Sequence, residues 1–282
     1  MRKNTKHILR ILGIILVLLP FINSIMHYDV ASGENELLTT LAAPETSTYV
    51  RESSAANLDI TGFAGTLNMT PAPVIKRAYL TFDDGPSINT DRILNVLALY
   101  GVKATFFVNN KAGEANVLRY QRIVNEGHTI GLHSTNHVYK QIYRDDAAFV
   151  NDYLSNQAYV AAVTGVTPVI YRFPGGSNNS VSPRDTANYI NILNQNGIAY
   201  YDWNVSIGDA VNPPRSREQL IANVLNNLAG KNDVMILMHD LPEKTTTVDA
   251  LPAIIEGLIQ NGYMILPIDT SVPSTTPVFH FK

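Results

Sequence analysis

From Ala78 onward the chain repeats one pattern: an amphipathic stretch, a glycine, and then a short run of β-branched or aromatic residues. The glycines that end the amphipathic stretches are Gly101, Gly127, Gly165, Gly197, Gly230 and Gly262. Glycine just past a helix readily adopts the left-handed backbone that closes it, so each unit predicts a helix, its end and a strand. With Ala78–Phe82 as the opening strand, the pattern predicts seven strands alternating with six helices.

The apolar runs after these glycines place the other predicted strands at 104–108, 129–132, 168–171, 199–201, 234–238 and 263–266. Two helix starts are also predicted. Ser216 with Gln219 forms a capping box, and Ser182-Pro183 places proline in the first turn of the helix before Gly197. Alternating strands and helices predict an α/β fold with a parallel sheet, either open or closed as a barrel.

The N-terminal segment has the charged-then-apolar order of an export signal. Arg2, Lys3, Lys6 and Arg10 precede an apolar run at 11–26. The run is short for a full membrane span, yet a clean small-x-small cleavage site is missing, so a signal peptide and a transmembrane anchor both stay open and we favour the anchor. Either way, we expect the rest of the chain to lie outside the cytoplasm.

The domain boundaries follow from composition. We expect the signal peptide or anchor at 1–28, and an extracytoplasmic linker at 29–73 that is rich in Ser, Thr, Ala, Asn and Glu. The folded domain then spans 74–270, followed by a C-terminal tail at 271–282. A domain of about 200 residues is large enough for one sizeable core.

Charge and cysteine usage exclude some classes of protein. The net charge is −3 with 16% charged residues and no long basic run, so nothing predicts nucleic-acid binding. The chain has no cysteine, and any bound metal would therefore be held by His, Asp or Glu. No protein partner is evident from the sequence.

Unusual polar residues follow the predicted strands. Asp83 and Asp84, with the turn Gly85-Pro86, come directly after the first strand. They are either solvated acids of a helix-entry turn or part of a site. Because polar residues follow the carboxyl ends of several different strands, as active sites of barrels require, we favour a barrel over an open sheet.

Two histidines follow the third strand. His133 and His137 are separated by three residues, a spacing that lets both rings face the same way on one helical turn and suits two ligands of one metal. Alone, such a pair is more often surface decoration or a satisfied core group. Together with an Asp it makes a three-ligand site that leaves a position open for water, which is the catalytic arrangement.

Three later strands also end in candidate residues. Arg172 and the glycines Gly175 and Gly176 follow the fourth, either as a simple turn with an incidental Arg or as a place where the backbone approaches a substrate closely. Trp203 follows the fifth and is either a core residue or a platform for a sugar ring. His239 ends the sixth, at the same predicted rim.

These residues resemble a known family. The motifs, in chain order, are Thr81-Phe82-Asp83-Asp84-Gly85-Pro86, His133-x-x-x-His137, Arg172-x-Pro174, Asp202-Trp203 and Leu237-x-His239. Together they resemble the five motifs of the polysaccharide deacetylase (NodB-homology) family, carbohydrate esterase family four, over about Ile75 to Asp269. The likeness is greatest to bacterial peptidoglycan N-acetylglucosamine deacetylases. It implies a distorted (β/α) barrel of about seven parallel strands and a divalent metal, usually Zn2+, with Co2+, Ni2+ or Mn2+ as alternatives.

The resemblance also implies roles for single residues. The implied metal ligands are Asp84, His133 and His137. Asp83 is implied as the general base, tuned by Arg172, and His239 as the general acid, oriented and charged by Asp202. The implied substrate-binding residues are Pro174, Gly175, Gly176, Trp203 and Leu237, the last two around the acetyl methyl. One departure is that many members carry an aromatic residue where this chain has Gly175, which implies a more open groove wall.

The expected function is metal-dependent hydrolysis of N-acetyl groups from an amino-sugar polymer of the cell envelope, foremost peptidoglycan N-acetylglucosamine. Chitin oligomers, poly-N-acetylglucosamine, N-acetylmuramic acid residues and acetylxylan remain alternative substrates. A glycan-binding pseudoenzyme and a purely structural surface domain are the alternatives from other classes. The expected partners are the envelope glycan and, through the N-terminal segment, the membrane.

Overall fold

The computed structural model describes residues 74–182 and 185–270. The strands are β1 (Lys76–Asp83), β2 (Thr105–Val108), β3 (Thr129–Leu132), β4 (Ile170–Tyr171), β5 (Ala199–Tyr200), β6 (Val205–Ser206), β7 (Asp233–His239) and β8 (Tyr263–Ile265). The helices are α1 (Ile88–Leu99), α2 (Glu114–Asn125), α3 (Tyr139–Ile142), α4 (Asp146–Thr164), α5 (Thr186–Gln195), α6 (Arg217–Leu225) and α7 (Thr245–Gln260). The predicted anchor or signal segment, the linker and the tail lie outside the described residues. Within the described ranges, no helix combines the length and the apolar character needed to cross a membrane.

Five of the six predicted helix ends are confirmed. The sixth is wrong, because α6 ends at Leu225 and Gly230 lies in a later turn, and one predicted helix start is wrong as well. All six glycines that were predicted to close helices have φ between 65° and 80°, which a residue with a Cβ adopts only at a cost. The capping box of Ser216 and Gln219 is present at α6. The helix before Gly197, in contrast, begins at Thr186, because Asp185 is its N-cap and its carboxylate accepts a hydrogen bond from the N–H of Ala187.

All strands are parallel, and the sheet is open. The strand order is β5-β4-β3-β2-β1-β7-β6, and β8 pairs with the first half of β1. In the described residues no pairing joins the edge strands β5 and β6, so the sheet curls into a half-barrel. The expected (β/α) barrel is thus corrected: the parallel strands and the common rim are confirmed, but the closure is not.

Alternation along the strands separates a large outer core from a small inner one. On β1, Ala78, Leu80 and Phe82 lie in the large core beneath the helices, whereas Tyr79 lies in the small inner cluster. Because successive side chains of a strand point to opposite faces, Asp83 shares the inner face with Tyr79. The same alternation applies to β7, where it brings His239 to the inner face as well.

Candidate active site

Asp83 is buried at the carboxyl end of β1 and is held by Arg172. The guanidinium Nη1 donates to Oδ1 of Asp83 at 2.9 Å, and both side chains are almost completely shielded from solvent. Arg172 also donates to Oγ1 of Thr81 at 2.6 Å and from Nε to the carbonyl oxygen of Tyr201 at 2.9 Å, and it lies over the ring of Phe107. The reading of Asp83 as a solvated acid of a turn is therefore wrong.

Asp84, His133 and His137 converge at the same rim. Nε2 of His133 lies 3.7 Å and Nε2 of His137 lies 3.6 Å from Oδ1 of Asp84. One ligand atom from each of the three residues falls within 4.8 Å of the others, a geometry that suits one metal ion. The structure therefore brings together the three predicted ligands.

The donor set fits a divalent metal in its chemistry as well. Oδ1 of Asp84 is buried and has no hydrogen-bond partner, which is costly unless a cation satisfies it. Nδ1 of His133 donates to the carbonyl oxygen of Arg172 at 2.8 Å, which leaves the lone pair of Nε2 directed at the site. Burial lowers the pKa of His133, against the opposing charges of Asp83 and Asp84, so that the ring is held in the neutral form that binds metals.

The two histidines reach the site through a turn and not through a helix, which corrects the expected helical spacing. Ser134 and His137 have φ of 72° and 58°, and α3 begins only at Tyr139. The backbone N–H of His137 donates to Oγ of Ser134 at 2.9 Å, which stabilises this turn. Asp84 also has a left-handed backbone, with φ of 73°. Such conformations are sparsely populated for residues with a Cβ and cluster at functional sites.

His239 lies opposite Asp83 in the register of β1 with β7 and is paired with Asp209. Nδ1 of His239 lies 2.7 Å from Oδ1 of Asp209, and the backbone N–H of His239 donates to Oδ2 at 2.9 Å. Burial by itself lowers the pKa of His239, but the hydrogen bond and charge of Asp209, with the charges of Asp83 and Asp84, outweigh it and raise the pKa above its ordinary value. The surroundings of His239 thus favour the protonated imidazole.

Asp202 does not contact His239, and its expected role is corrected. Its carboxylate accepts hydrogen bonds from the backbone N–H of Ser177, at 2.9 Å, and from the hydroxyl of the same residue. Its carbonyl oxygen accepts from Nη2 of Arg172. The reason is topological: after β5 the chain forms β6, which pairs with β7 and carries Asp209 to His239. Sequence reasoning missed β6 because this strand does not follow a helix and a glycine, the pattern that predicted the other strands after β1.

A cavity of about 420 Å³ opens above these residues. Among the predicted substrate-binding residues, Gly175, Trp203 and Leu237 line it. Trp203 is half-buried at this cavity, so it is not a fully buried core residue. Pro174 and Gly176 are not among the lining residues. The carbonyl oxygen of Pro174 accepts a hydrogen bond from the hydroxyl of Tyr143, and a Cβ on Gly176 would lie 3.1 Å from the ring of Trp203.

Five lining residues were not predicted: Tyr139, Phe173, Ala210, Leu241 and Lys244. The hydroxyl of Tyr139 lies 3.6 Å from where a Cβ of Gly175 would stand, so Tyr139 covers part of the wall that the glycine leaves open. Its ring also packs against His137. The one available signal was that all of them except Ala210 lie within five positions of a predicted site residue along the chain.

Comparison with known proteins agrees with this geometry. The chain matches the family model described as polysaccharide deacetylase over residues 71–200. It is 35% identical over 196 residues to a peptidoglycan-N-acetylglucosamine deacetylase of Bacillus cereus, with 67% of each chain covered. The catalytic domain of a peptidoglycan N-acetylglucosamine deacetylase from Eubacterium rectale superposes with a TM-score of 0.67 at 40% identity, covering 74% of this chain and 96% of that one.

A second solved structure, a polysaccharide deacetylase from Bacillus cereus, gives a TM-score of 0.61 at 34% identity over 72% of this chain and 96% of that one. Sequence and structure therefore point to one family. This chain belongs to the polysaccharide deacetylase family, carbohydrate esterase family four.

Proposed function

We propose that the protein hydrolyses N-acetyl groups of a cell-wall amino-sugar polymer, with Asp84, His133 and His137 holding a divalent metal. One observation carries the proposal: the unpartnered Oδ1 of Asp84 faces two imidazole nitrogens at a cavity that also contains Asp83 and His239. Zn2+ is the metal that best fits one carboxylate and two imidazoles. When bound, such an ion polarises the amide carbonyl and makes water more acidic.

Asp83 is the proposed proton acceptor. Arg172 occupies Oδ1 of its carboxylate, and this leaves Oδ2 to take a proton from the attacking water. Oδ2 lies 3.8 Å from Nε2 of His133, on the side of the metal ligands. Asp83 is thus held beside the residues that would bind the ion, without being one of them.

His239 is the proposed proton donor to the departing amine. Asp209 holds Nδ1, so Nε2 is the nitrogen that is available to substrate, and the raised pKa favours the protonated ring. Because His239 is the register partner of Asp83, acid and base lie side by side at the ends of neighbouring strands.

Gly175 is the proposed backbone donor to the developing oxyanion. Of the two glycines considered, Gly176 already donates its N–H to the carbonyl oxygen of Phe173 at 2.8 Å. Within the described residues the N–H of Gly175 has no such acceptor, and Gly175 lines the cavity. An amide aimed at developing negative charge supplies a large part of catalysis in acyl transfer.

Peptidoglycan N-acetylglucosamine is the proposed substrate, because it is the substrate named for the relatives from Bacillus cereus and Eubacterium rectale. The charged and apolar N-terminal segment supports export, with the catalytic domain tethered to or released from the membrane on the cell-wall side. Neutral N-acetylglucosamine polymers are the alternative within the same chemistry, since the cavity accepts the same acetamido group.

The test is acetate release by the full-length protein from purified peptidoglycan and from N-acetylglucosamine oligomers, with Zn2+ and with a chelator. We expect release that requires metal and is greatest on peptidoglycan. Release that persists unchanged after the chelator has removed all metal would refute the metal assignment. Absence of release from every acetylated glycan, with metal bound, would favour a glycan-binding pseudoenzyme.

A further inference from the structure

Lys244 places a positive charge in the wall of the active-site cavity. It immediately precedes α7, is half-buried and lines the cavity, as does Ala210. Its ammonium nitrogen donates to the carbonyl oxygen of Asp209 at 2.8 Å. Because Asp209 pairs with His239, this contact places Lys244 on the side of the cavity that holds the proposed acid.

The ammonium of Lys244 uses only one of its N–H groups in the hydrogen bonds of the described residues. An ammonium carries three N–H groups, and the carbonyl of Asp209 accepts from one of them. Within the described residues it makes no ion pair with a carboxylate. Holding a long, flexible side chain against a binding cavity without such a partner suits recognition of a ligand that brings its own acceptor.

The other charges of the site are matched. Asp83 is paired with Arg172, and Asp209 with His239. Asp84 faces the proposed metal with His133 and His137. Among the described residues that line the cavity, Lys244 is thus a cation without a carboxylate partner, and its charge is available to a substrate.

We propose that Lys244 binds a carboxylate of the glycan and so selects carboxylate-bearing chains over neutral ones; the inference rests on the proposed deacetylase function. Peptidoglycan offers such groups on the lactyl ether of its N-acetylmuramic acid residues and on its peptide stems. Polymers of N-acetylglucosamine alone offer none. The acetamido group would be recognised by the metal side of the cavity in both polymers, and the carboxylate by Lys244 in one of them.

The test compares Lys244→Met with Lys244→Arg and with a matched control, Lys231→Met. Nζ of Lys231 likewise donates to a backbone carbonyl, that of Asn227 at 2.9 Å. Lys231, however, lies just before β7, at the amino-terminal ends of the strands, whereas the site lies at their carboxyl ends. For each full-length protein supplied with Zn2+, kcat/KM is measured on a peptide-free tetrasaccharide of alternating N-acetylglucosamine and N-acetylmuramic acid. It is also measured on the tetramer of N-acetylglucosamine, and the ratio of the two values is reported.

We expect Lys244→Met to lower the ratio by about five- to tenfold, the range for a hydrogen bond between charged groups at a partly solvated site. Lys244→Arg should keep most of the ratio because it keeps the charge, and Lys231→Met should keep all of it. In the unaltered protein the ratio should fall as NaCl is raised, because salt screens the ion pair, and Lys244→Met should lose this dependence.

The ratio of the two kcat/KM values distinguishes a loss of selectivity from a general distortion of the active site, because a distorted site lowers kcat/KM on both sugars together. It also keeps the test of this inference apart from the test of the proposed function. An unchanged ratio in Lys244→Met on both the peptide-free tetrasaccharide and its peptide-bearing form would overturn the inference while leaving the deacetylase intact. A change confined to the peptide-bearing form would assign the carboxylate to the stem. Failure of the unaltered protein to release acetate from either sugar would instead overturn the function on which the inference rests.

Discussion

At the scale of single residues, Asp209 holds the imidazole of His239 through several contacts. Its Oδ1 faces Nδ1 of His239, and its Oδ2 accepts from the backbone N–H of His239 and from Oγ1 of Thr247, both at 2.9 Å. The carboxylate therefore orients the imidazole and raises its pKa. This is the arrangement by which a buried acid supports a neighbouring histidine in general acid catalysis.

Replacement of Asp209 by Asn should shift the pH dependence of turnover. The negative charge raises the pKa of His239, so the ring keeps its proton to higher pH; without that charge the pKa falls and the protonated acid is lost at lower pH. We expect the alkaline limb of the kcat profile of Asp209→Asn to move to lower pH, with kcat reduced by at least about tenfold. Steady-state kinetics across the pH range checks this.

Asp202→Asn is the matched control, because Asp202 contacts Ser177 and not the histidine. Its alkaline limb should stay where it is in the unaltered protein. A shift in Asp202→Asn, with none in Asp209→Asn, would show that the carboxylate partner of His239 has been wrongly assigned.

The site residues that could be predicted are those that directly follow strands recognisable in the sequence. Asp83, Asp84, His133 and His137 follow long or strongly apolar strands, so their position at the rim could be inferred from the sequence. The partner of His239 could not, because it depends on β6, whose two residues are identified only by pairing with β7. Lys244 and Tyr139 were missed because they reach the cavity from the loops and helix starts that follow the strands.

At the scale of elements, the close packing of neighbouring strands leaves no room for a side chain at Gly131. Gly131 lies within β3, and a Cβ built there would stand 2.7 Å from Cδ1 of Phe107 and 2.8 Å from Cγ1 of Ile170. Gly165, in contrast, closes α4 with φ of 76° and has no atom within 4 Å of such a Cβ. The first glycine is required by space and the second by backbone conformation.

Gly131→Ala should lower the free energy of unfolding by about 1–3 kcal/mol, the usual cost of overpacking a core. Gly165→Ala should cost about 1–2 kcal/mol through left-handed strain alone, without disturbing Phe107. Urea denaturation of each variant measures both values. Unchanged stability of Gly131→Ala would contradict the close approach of β2, β3 and β4.

The elements themselves were largely predictable, because each unit carries its own helix, glycine and apolar run. All seven predicted strands are present within a few residues of their expected bounds. The start of α5 was misplaced because Ser182-Pro183 and Asp185 both offer helix-start signals, and the carboxylate of Asp185 is the one that caps the helix.

At the scale of the whole molecule, one buried carboxyl links stability to pH. Asp240 follows β7 and accepts hydrogen bonds from the hydroxyls of Ser87, at 2.6 Å, and of Thr90, at 2.5 Å. Burial raises the pKa of Asp240 to about 6, although these two hydrogen bonds oppose the shift. The folded state thus favours the protonated carboxyl, and its stability falls as pH rises from about 4 to about 6.

Asp240→Asn removes this titration. Since a shift of about two units corresponds to roughly 3 kcal/mol, the stability of Asp240→Asn relative to the unaltered protein should improve by up to that amount between pH 4 and pH 7. The comparison needs urea denaturation of both metal-free proteins at each pH. A difference between the two proteins that does not vary with pH would contradict a raised pKa.

The sequence predicted the fold class, an α/β fold with a parallel sheet, but it could not show whether the sheet closes into a barrel. The alternation of elements predicts a parallel sheet with a common rim, and the residues at that rim assemble as expected. Closure depends on whether the edge strands meet, and β5 and β6 are too short to show this in the sequence.

The most direct test of the central claim measures bound metal and acetate release in the same preparations of the unaltered protein, Asp83→Asn and His133→Ala, on N-acetylglucosamine oligomers. Asp83→Asn should retain its metal and lose turnover by at least about a hundredfold, because only the base is removed. His133→Ala should lose metal and turnover together. Full turnover in Asp83→Asn, or metal retained with full turnover in His133→Ala, would contradict the assignment of base and ligand.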